Sequence, residues 1–149
     1  MPQFLEATVD KFIFRVATDR SYSSEGLWAL AEGDRVRIGL SDFLQQRSGD
    51  VAFAEVKPVG TTVAAGEEIA TIETIKVDVG LTSPVSGKVV ETNPALATTP
   101  EVINQDPYGT GWLAVLQVDD WEAGRAALLD AQTYFDHMKT QAEEEAKEP

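Results

Sequence analysis

Residues 60–98 read GTTVAAGEEIATIETIKVDVGLTSPVSGKVVETNPALAT, and the two ends of this stretch echo each other. When GTTVAAGEEIAT (60–71) is set on GKVVETNPALAT (87–98), an offset of 27 residues, Gly60 falls on Gly87, Val63 on Val90, Ala70 on Ala97 and Thr71 on Thr98. Ile69 falls on Leu96, and Gly66 falls on Asn93. Gly and Asn are the residue types that best tolerate a left-handed backbone. The pattern predicts two β-turn-β units. A repeat this short cannot bury its apolar face alone, so the halves are expected to pack on each other. The connecting segment IATIETIKVDVGLTSPVSG has one sensible place to reverse, around Thr74–Val77. Lys76 then stands at the tip of an exposed hairpin, between the apolar Ile75 and Val77, with Glu73 and Asp78 as its nearest charges.

Working outward, FIFRV (Phe12–Val16) reads as a strand, and LWALAEGDRVRIGL as a hairpin turning at Glu32-Gly33-Asp34. SDFLQQRSG predicts a short helix at 41–48, with Ser41 as N-cap, Asp42 in the first turn and Gly49 as the stop. VAFAEV (Val51–Val56) is a strand closed by Pro58 and Gly60, and Trp112–Val118 another, after turns at Asp106-Pro107 and Tyr108-Gly109. From Asp120 the period turns helical, with Trp121, Leu128 and Phe135 seven apart and Leu129 and Met138 nearby. This predicts one C-terminal helix over about 120–140, capped by Asp119 or Asp120, and a frayed acidic tail at 141–149. The expected architecture is a mainly β, flattened sandwich of two quasi-symmetric halves, one domain over 1–149 with its core at about 12–118.

Composition narrows the chemistry. A net charge of −13, from 12 Lys+Arg and 25 Asp+Glu, argues against nucleic acid and anionic membranes and suits docking onto basic patches of partner proteins. With no cysteine, a disulfide framework, a thiolate nucleophile and a Cys-bound metal are excluded. The sole histidine, His137, lies in helical surroundings, with no G-x-S-x-G to accompany it. No phosphate-binding glycine loop and no apolar run of membrane length is present. Without a basic, apolar leader, a cytoplasmic monomer is the expectation. A protein with so little catalytic equipment, holding out one primary amine on a β scaffold, is suited to carry a prosthetic group that does the chemistry.

These residues resemble the lipoyl-carrying H protein of the glycine cleavage system, from roughly Tyr22 to Leu129. The resemblance rests on Glu73-x-x-Lys76, on Ser83-Pro84-Val85-Ser86-Gly87, and on Asn104 with Asp106-Pro107-Tyr108-Gly109 and Gly111-Trp112. Biotin carriers usually flank their lysine with methionines. Lipoyl domains of 2-oxoacid dehydrogenases usually carry Asp-Lys-Ala and lack the Pro-Tyr-x-x-Gly-Trp strand. The resemblance implies a lipoyl/biotinyl-type barrel-sandwich, a carrier rather than an enzyme. It implies lipoate in amide linkage on Lys76, Glu73 recognised by a lipoate ligase or lipoyl transferase, and partner enzymes that load and unload the arm.

The same resemblance exposes departures. The family places a Glu in a His-Glu-Trp motif, an Asp four residues after the lysine and often a His in the short helix. Here Gly26 and Leu27 precede Trp28, Gly80 follows Lys76 by four, and Arg47 stands near the place of the histidine. A cationic aminomethyl cargo wants carboxylates beside the resting arm, so Leu27, Arg47 and Gly80 are read as altered arm surroundings. The expectation drawn from them is a neutral or anionic sulfur cargo, as in the H-like lipoate-binding proteins of bacterial sulfur oxidation, which work with a heterodisulfide-reductase-like complex. The alternatives are a glycine-cleavage carrier in which Glu25 or Asp78 takes over the pairing, and an unmodified interaction domain.

Overall fold

The computed structural model describes residues 3–147. The chain opens with an antiparallel hairpin, β1 (Phe4–Val9) and β2 (Phe12–Ala17), turned through Asp10 at a φ of 57°. β3 (Ser21–Tyr22), β4 (Leu27–Glu32) and β5 (Arg35–Leu40) follow, then helix α1 (Asp42–Ser48). The middle holds β6 (Val51–Val56), β7 (Thr62–Val63), β8 (Glu68–Thr74), β9 (Asp78–Thr82) and β10 (Gly87–Thr92). A short 3₁₀ turn (Pro94–Ala97) and helix α2 (Val102–Gln105) lead to β11 (Ala114–Gln117), and α3 (Trp121–Ala126) and α4 (Ala131–Ala146) close the chain.

The strands form the expected mainly β sandwich. A six-stranded sheet in the order β3-β4-β5-β11-β10-β7 faces a three-stranded sheet β6-β8-β9, with β1-β2 apart from both. Period-two alternation sends Val36, Ile38 and Leu40 of β5 inward while Arg35 and Arg37 face out. They meet Val63, Ile69, Ile72, Leu81, Val89 and Leu116 in one apolar core. Both halves of the sequence echo thus pack together as expected. A register shift between Glu68 and Ala70 against β9 is why consecutive Ile69 and Ala70 are both buried.

A second core lies outside the larger sheet. Tyr22, Trp28, Phe14, Phe43, Tyr134 and Met138 fill it, and α4 covers it. The Tyr22 and Tyr134 rings stack 4.5 Å apart. Tyr134 hydroxyl and Ser41 Oγ lie 2.9 Å apart, while Ser41 Oγ also accepts from Leu44 N at 3.3 Å, so one residue caps α1 and anchors α4. The Trp28 ring lies on Gly39, where an added Cβ would stand 2.5 Å from it.

Three expectations change. The second repeat is not a β-turn-β unit: Gly66 turns at a φ of +89°, but Asn93 sits at −74° and caps the 3₁₀ turn, so Leu96 reaches the core from a helix. The helix foreseen at 120–140 is two helices, capped by Asp120 and Asp130. The break lets Leu129 exchange both backbone hydrogen bonds with Tyr22 at 2.8 Å, and the buried face of α4 is Ala131, Tyr134, Met138 and Ala142 rather than the Trp121–Leu128–Phe135 stripe. The acidic segment does not fray from 141: α4 runs to Ala146. The last two residues, 148 and 149, lie outside the described residues.

Two outcomes are expected. Gly39→Ala forces the Trp28 ring aside and should cost about 1–3 kcal/mol by denaturant unfolding. Burial pushes the Tyr134 hydroxyl from its ordinary value near 10 up to about 12. A raised folded-state value means its contribution is whole below pH 10 and drains as pH climbs from 10 through about 12. Alkaline titration of stability should therefore be steep there, and Tyr134→Phe should make it shallower.

Candidate functional site

β8 and β9 are in register from Glu73↔Asp78 inward, which leaves Ile75, Lys76 and Val77 as the reversal. Thr74 satisfies this turn. Its N–H donates to Val77 O at 2.9 Å and its hydroxyl donates to the same oxygen at 2.9 Å. Its Oγ1 accepts from Lys76 N at 3.2 Å and Val77 N at 3.0 Å. The three tip residues are exposed, Ile75 at 75% and Val77 at 51%. Lys76 is therefore where the sequence places it, on a hairpin tip whose polar backbone is closed by its own threonine.

The tip rests on the end of α1. Ile75 N donates to Asp50 O at 3.2 Å. The Lys76 stem passes along Gly49, its Cδ and Cε 3.4 Å from where a Cβ would stand. Gly49 and Asp50 are held in turn by Asn104 of α2. Its amide nitrogen donates to Gly49 O and to Gln45 Oε1 at 3.0 Å each, and its oxygen accepts from Val51 N at 2.9 Å. Asn104 belongs to the motifs that carry the family resemblance, but its work in bracing the platform under the lysine shows only in three dimensions.

Past Gly49 the lysine opens onto a groove of about 270 Å³ between the β1-β2 hairpin, α1 and the end of α4. Arg47 borders it and also a larger, more polar cleft of about 600 Å³ that holds Glu25, His137 and Glu144.

The other sequence-predicted residues fall in different places. Glu73 and Asp78 are exposed and face each other across β8 and β9, directly below the tip. Leu27 is not arm surface: it is 1% exposed in the main core, opposite Leu40. Gly80 lies on the exposed strand β9, and a Cβ there would meet Glu68 Oε2 at 2.8 Å, so a neighbouring carboxylate already covers it. Glu25 accepts a hydrogen bond from the Thr82 hydroxyl on the same strand. Arg47 is not a free cation, since its Nε pairs with Glu145 Oε2 at 3.2 Å across α1 and α4. His137 lies 3.2 Å from Ser24 O, and its ring stands 6.4 Å from that of Tyr134. Sequence reasoning missed β1 altogether. Four of its six residues are exposed or half-buried, so the strand carries little apolar pattern.

Among the described residues no cluster of potential metal ligands occurs, and no helix is long and apolar enough to cross a membrane.

Comparison with known proteins gives a consistent result. The model of the family described as Glycine cleavage H-protein matches residues 20–141. A glycine cleavage system H protein of Thermus thermophilus is 41% identical over 127 residues, 85% of this chain and 98% of the relative. One from Mycobacterium tuberculosis is 41% identical over 125 residues, covering 80% and 93%. The crystal structure of a glycine cleavage system H protein from Mycobacterium marinum superposes with a TM-score of 0.72 at 36% identity, covering 80% of this chain and 95% of that one.

Two substitutions check this geometry. Asn104→Ala strands Val51 N and Gly49 O and should cost about 2–3 kcal/mol, with faster amide exchange at Ile75. Leu27→Glu places an unpaired charge in the main core and should cost about 3–5 kcal/mol by chemical denaturation. Were Leu27 arm surface, it would be nearly neutral.

Proposed function

The chain belongs to the glycine cleavage H-protein family, and on that premise we propose that it is a lipoyl carrier with lipoate in amide linkage on Lys76. The observation that carries this reading is Lys76 itself, exposed on a rigid hairpin tip and opening onto an apolar groove. The residues present fit the group: the amine is accessible, its flanks are apolar, and no cysteine competes for sulfur chemistry. When bound, lipoate supplies a cyclic disulfide that opens to a dithiol able to hold cargo on sulfur. Amide formation removes the lysine charge, which makes the apolar groove a suitable surface for the arm. Glu73 stands exposed at the end of β8, where an attaching lipoate ligase or lipoyl transferase can read it alongside Lys76.

For the cargo we favour the aminomethyl group, carried between glycine decarboxylase and aminomethyltransferase. A cation needs carboxylates, and these come from positions other than the ones the family motif uses. Glu25 is held over β9 by Thr82, and Glu68 covers Gly80. Glu25 and Glu144 also line the polar cleft that shares Arg47 and Phe43 with the groove. Pairing with Glu145 cancels much of the attraction that Arg47 would offer an anion. The second reading, a sulfur-bound cargo exchanged with a heterodisulfide-reductase-like complex, draws on one observation. No carboxylate grows from position 80, four residues after Lys76, which has no side chain.

Lipoylated protein incubated with glycine, glycine decarboxylase and its cofactor should gain the aminomethyl group by intact mass. Glu25→Gln should lower the loading several-fold without changing lipoylation. Absence of loading on fully lipoylated protein would overturn the aminomethyl reading in favour of the sulfur cargo.

A further inference from the structure

We propose that the outer face of the β1-β2 hairpin is a docking surface for the enzyme that loads the arm, which meets it with an apolar side chain set beside a cationic one. The inference rests on the carrier reading above and adds a partner contact to it. In an antiparallel pair the pleat puts directly opposed residues on one face. Phe4, Glu6 and Thr8 of β1 thus share a face with Ile13 and Arg15 of β2. The opposite face carries Ala7, Val9, Phe14 and Val16, all buried. Phe4 is 41% exposed and Ile13 52%, and neither belongs to either core. Folding leaves these two large apolar side chains unused.

They do not stand singly. With Pro107 and Tyr108 they line an open groove of about 370 Å³, and the Phe4 and Tyr108 rings lie 5.7 Å apart. Asp42 and Asp106 border the same groove, which suits a cation next to the apolar anchor. Arg15 also borders it, but its Nε pairs with Glu6 Oε2 at 3.0 Å. The groove is fixed in advance. Gln46 Nε2 of α1 donates to Ile13 O at 2.9 Å, Arg15 N donates to Asp42 Oδ2 at 3.0 Å, and the Tyr108 hydroxyl donates to Arg15 O at 2.7 Å. A surface ordered beforehand binds without a further ordering cost.

Its position ties it to the lysine. Gln46 lines both this groove and the one at Lys76, and Asn104, which braces the platform under the lysine, lines this one too. A partner seated on the tip therefore has the hairpin within reach. Residues 4–17 hold two acids, Glu6 and Asp10, and two bases, Lys11 and Arg15, so the net −13 is carried by the rest of the chain. The body then supplies the long-range attraction for a basic partner, and the hairpin adds short-range apolar contact. The hairpin ends at Ala17, before residue 20, where the match to the family begins. The Thermus thermophilus relative is matched over 98% of its own length by 127 residues of this chain, which leaves it almost nothing from which to build a counterpart. The docking face is thus an addition of this chain to the carrier fold, a means of choosing its own loading enzyme.

The test uses the full chain, lipoylated and checked by intact mass, with glycine and the glycine decarboxylase of the same organism. The double variant Phe4→Ser, Ile13→Ser should raise the KM for the carrier roughly tenfold, with kcat and thermal unfolding unchanged. Val59→Ser removes an apolar side chain that is 61% exposed beyond the far end of β6, and should leave both kinetic constants unchanged. The double variant should keep the slope of kcat/KM against salt, because no charge is altered. On the wild-type chain, added decarboxylase should broaden the Ile13 methyl signals and spare those of Val59. Wild-type loading with a KM that the double variant does not change, and Ile13 signals that stay sharp, overturns the docking face and leaves the carrier reading intact. A lipoylated wild-type chain that takes up no aminomethyl group overturns the aminomethyl reading and this inference with it.

Discussion

Thr74 sets the conditions for everything the molecule presents. A reversal of three residues leaves backbone donors and acceptors without ladder partners, and water alone would leave such a tip mobile. Thr74 closes the turn from within, by one backbone bond and three contacts of its hydroxyl. Ile75, Lys76 and Val77 then have no structural duty for their side chains. The tip is fixed in direction by β8 and β9, and braced from below through Asp50, which the Asn104 bonds to Gly49 O and Val51 N bracket. A carrier needs such a division: a stiff base that partners can recognise, and a flexible arm that begins only at the lysine stem.

Charge is distributed to the same end. The chain carries −13 overall, and in the groove beside Lys76 Arg47 is tied to Glu145 while Asp10 also lines the wall. The carboxylates gather on the other side, at Glu25, Glu68 and Glu144. Two cavities thus adjoin at Arg47 and Phe43, one lined by the hairpin and the other by Glu25 and α4. An acidic exterior also favours encounter with basic faces of partner enzymes.

Much of this was legible in the sequence where local chemistry decides. The β8-β9 tip follows from one possible reversal point, α1 from Ser41, Asp42 and Gly49, and the β4-β5 hairpin from Glu32-Gly33-Asp34. Legibility failed where a distant contact overrides the local pattern. The break between α3 and α4 leaves Leu129 to pair with Tyr22, a contact that no helical period announces. Leu27 looked like a lost carboxylate but serves the core, and Arg47 looked like a free cation because its partner lies in a segment whose composition suggested fraying. The alignment of Gly66 with Asn93 matched residue types whose backbones differ. The groove could not be foreseen at all, since β1, α1 and the end of α4 meet only in the folded chain.

The most direct measurement is peptide mapping by tandem mass spectrometry of the chain co-produced with a lipoate ligase and lipoate. There are six lysines, and one of them, Lys76, sits on the Thr74-closed tip. A single lipoyl amide on Lys76, with the other lysines bare, is the predicted result. A lipoyl group on any other lysine, or an unmodified Lys76 under conditions that fully modify a known H protein, would contradict it.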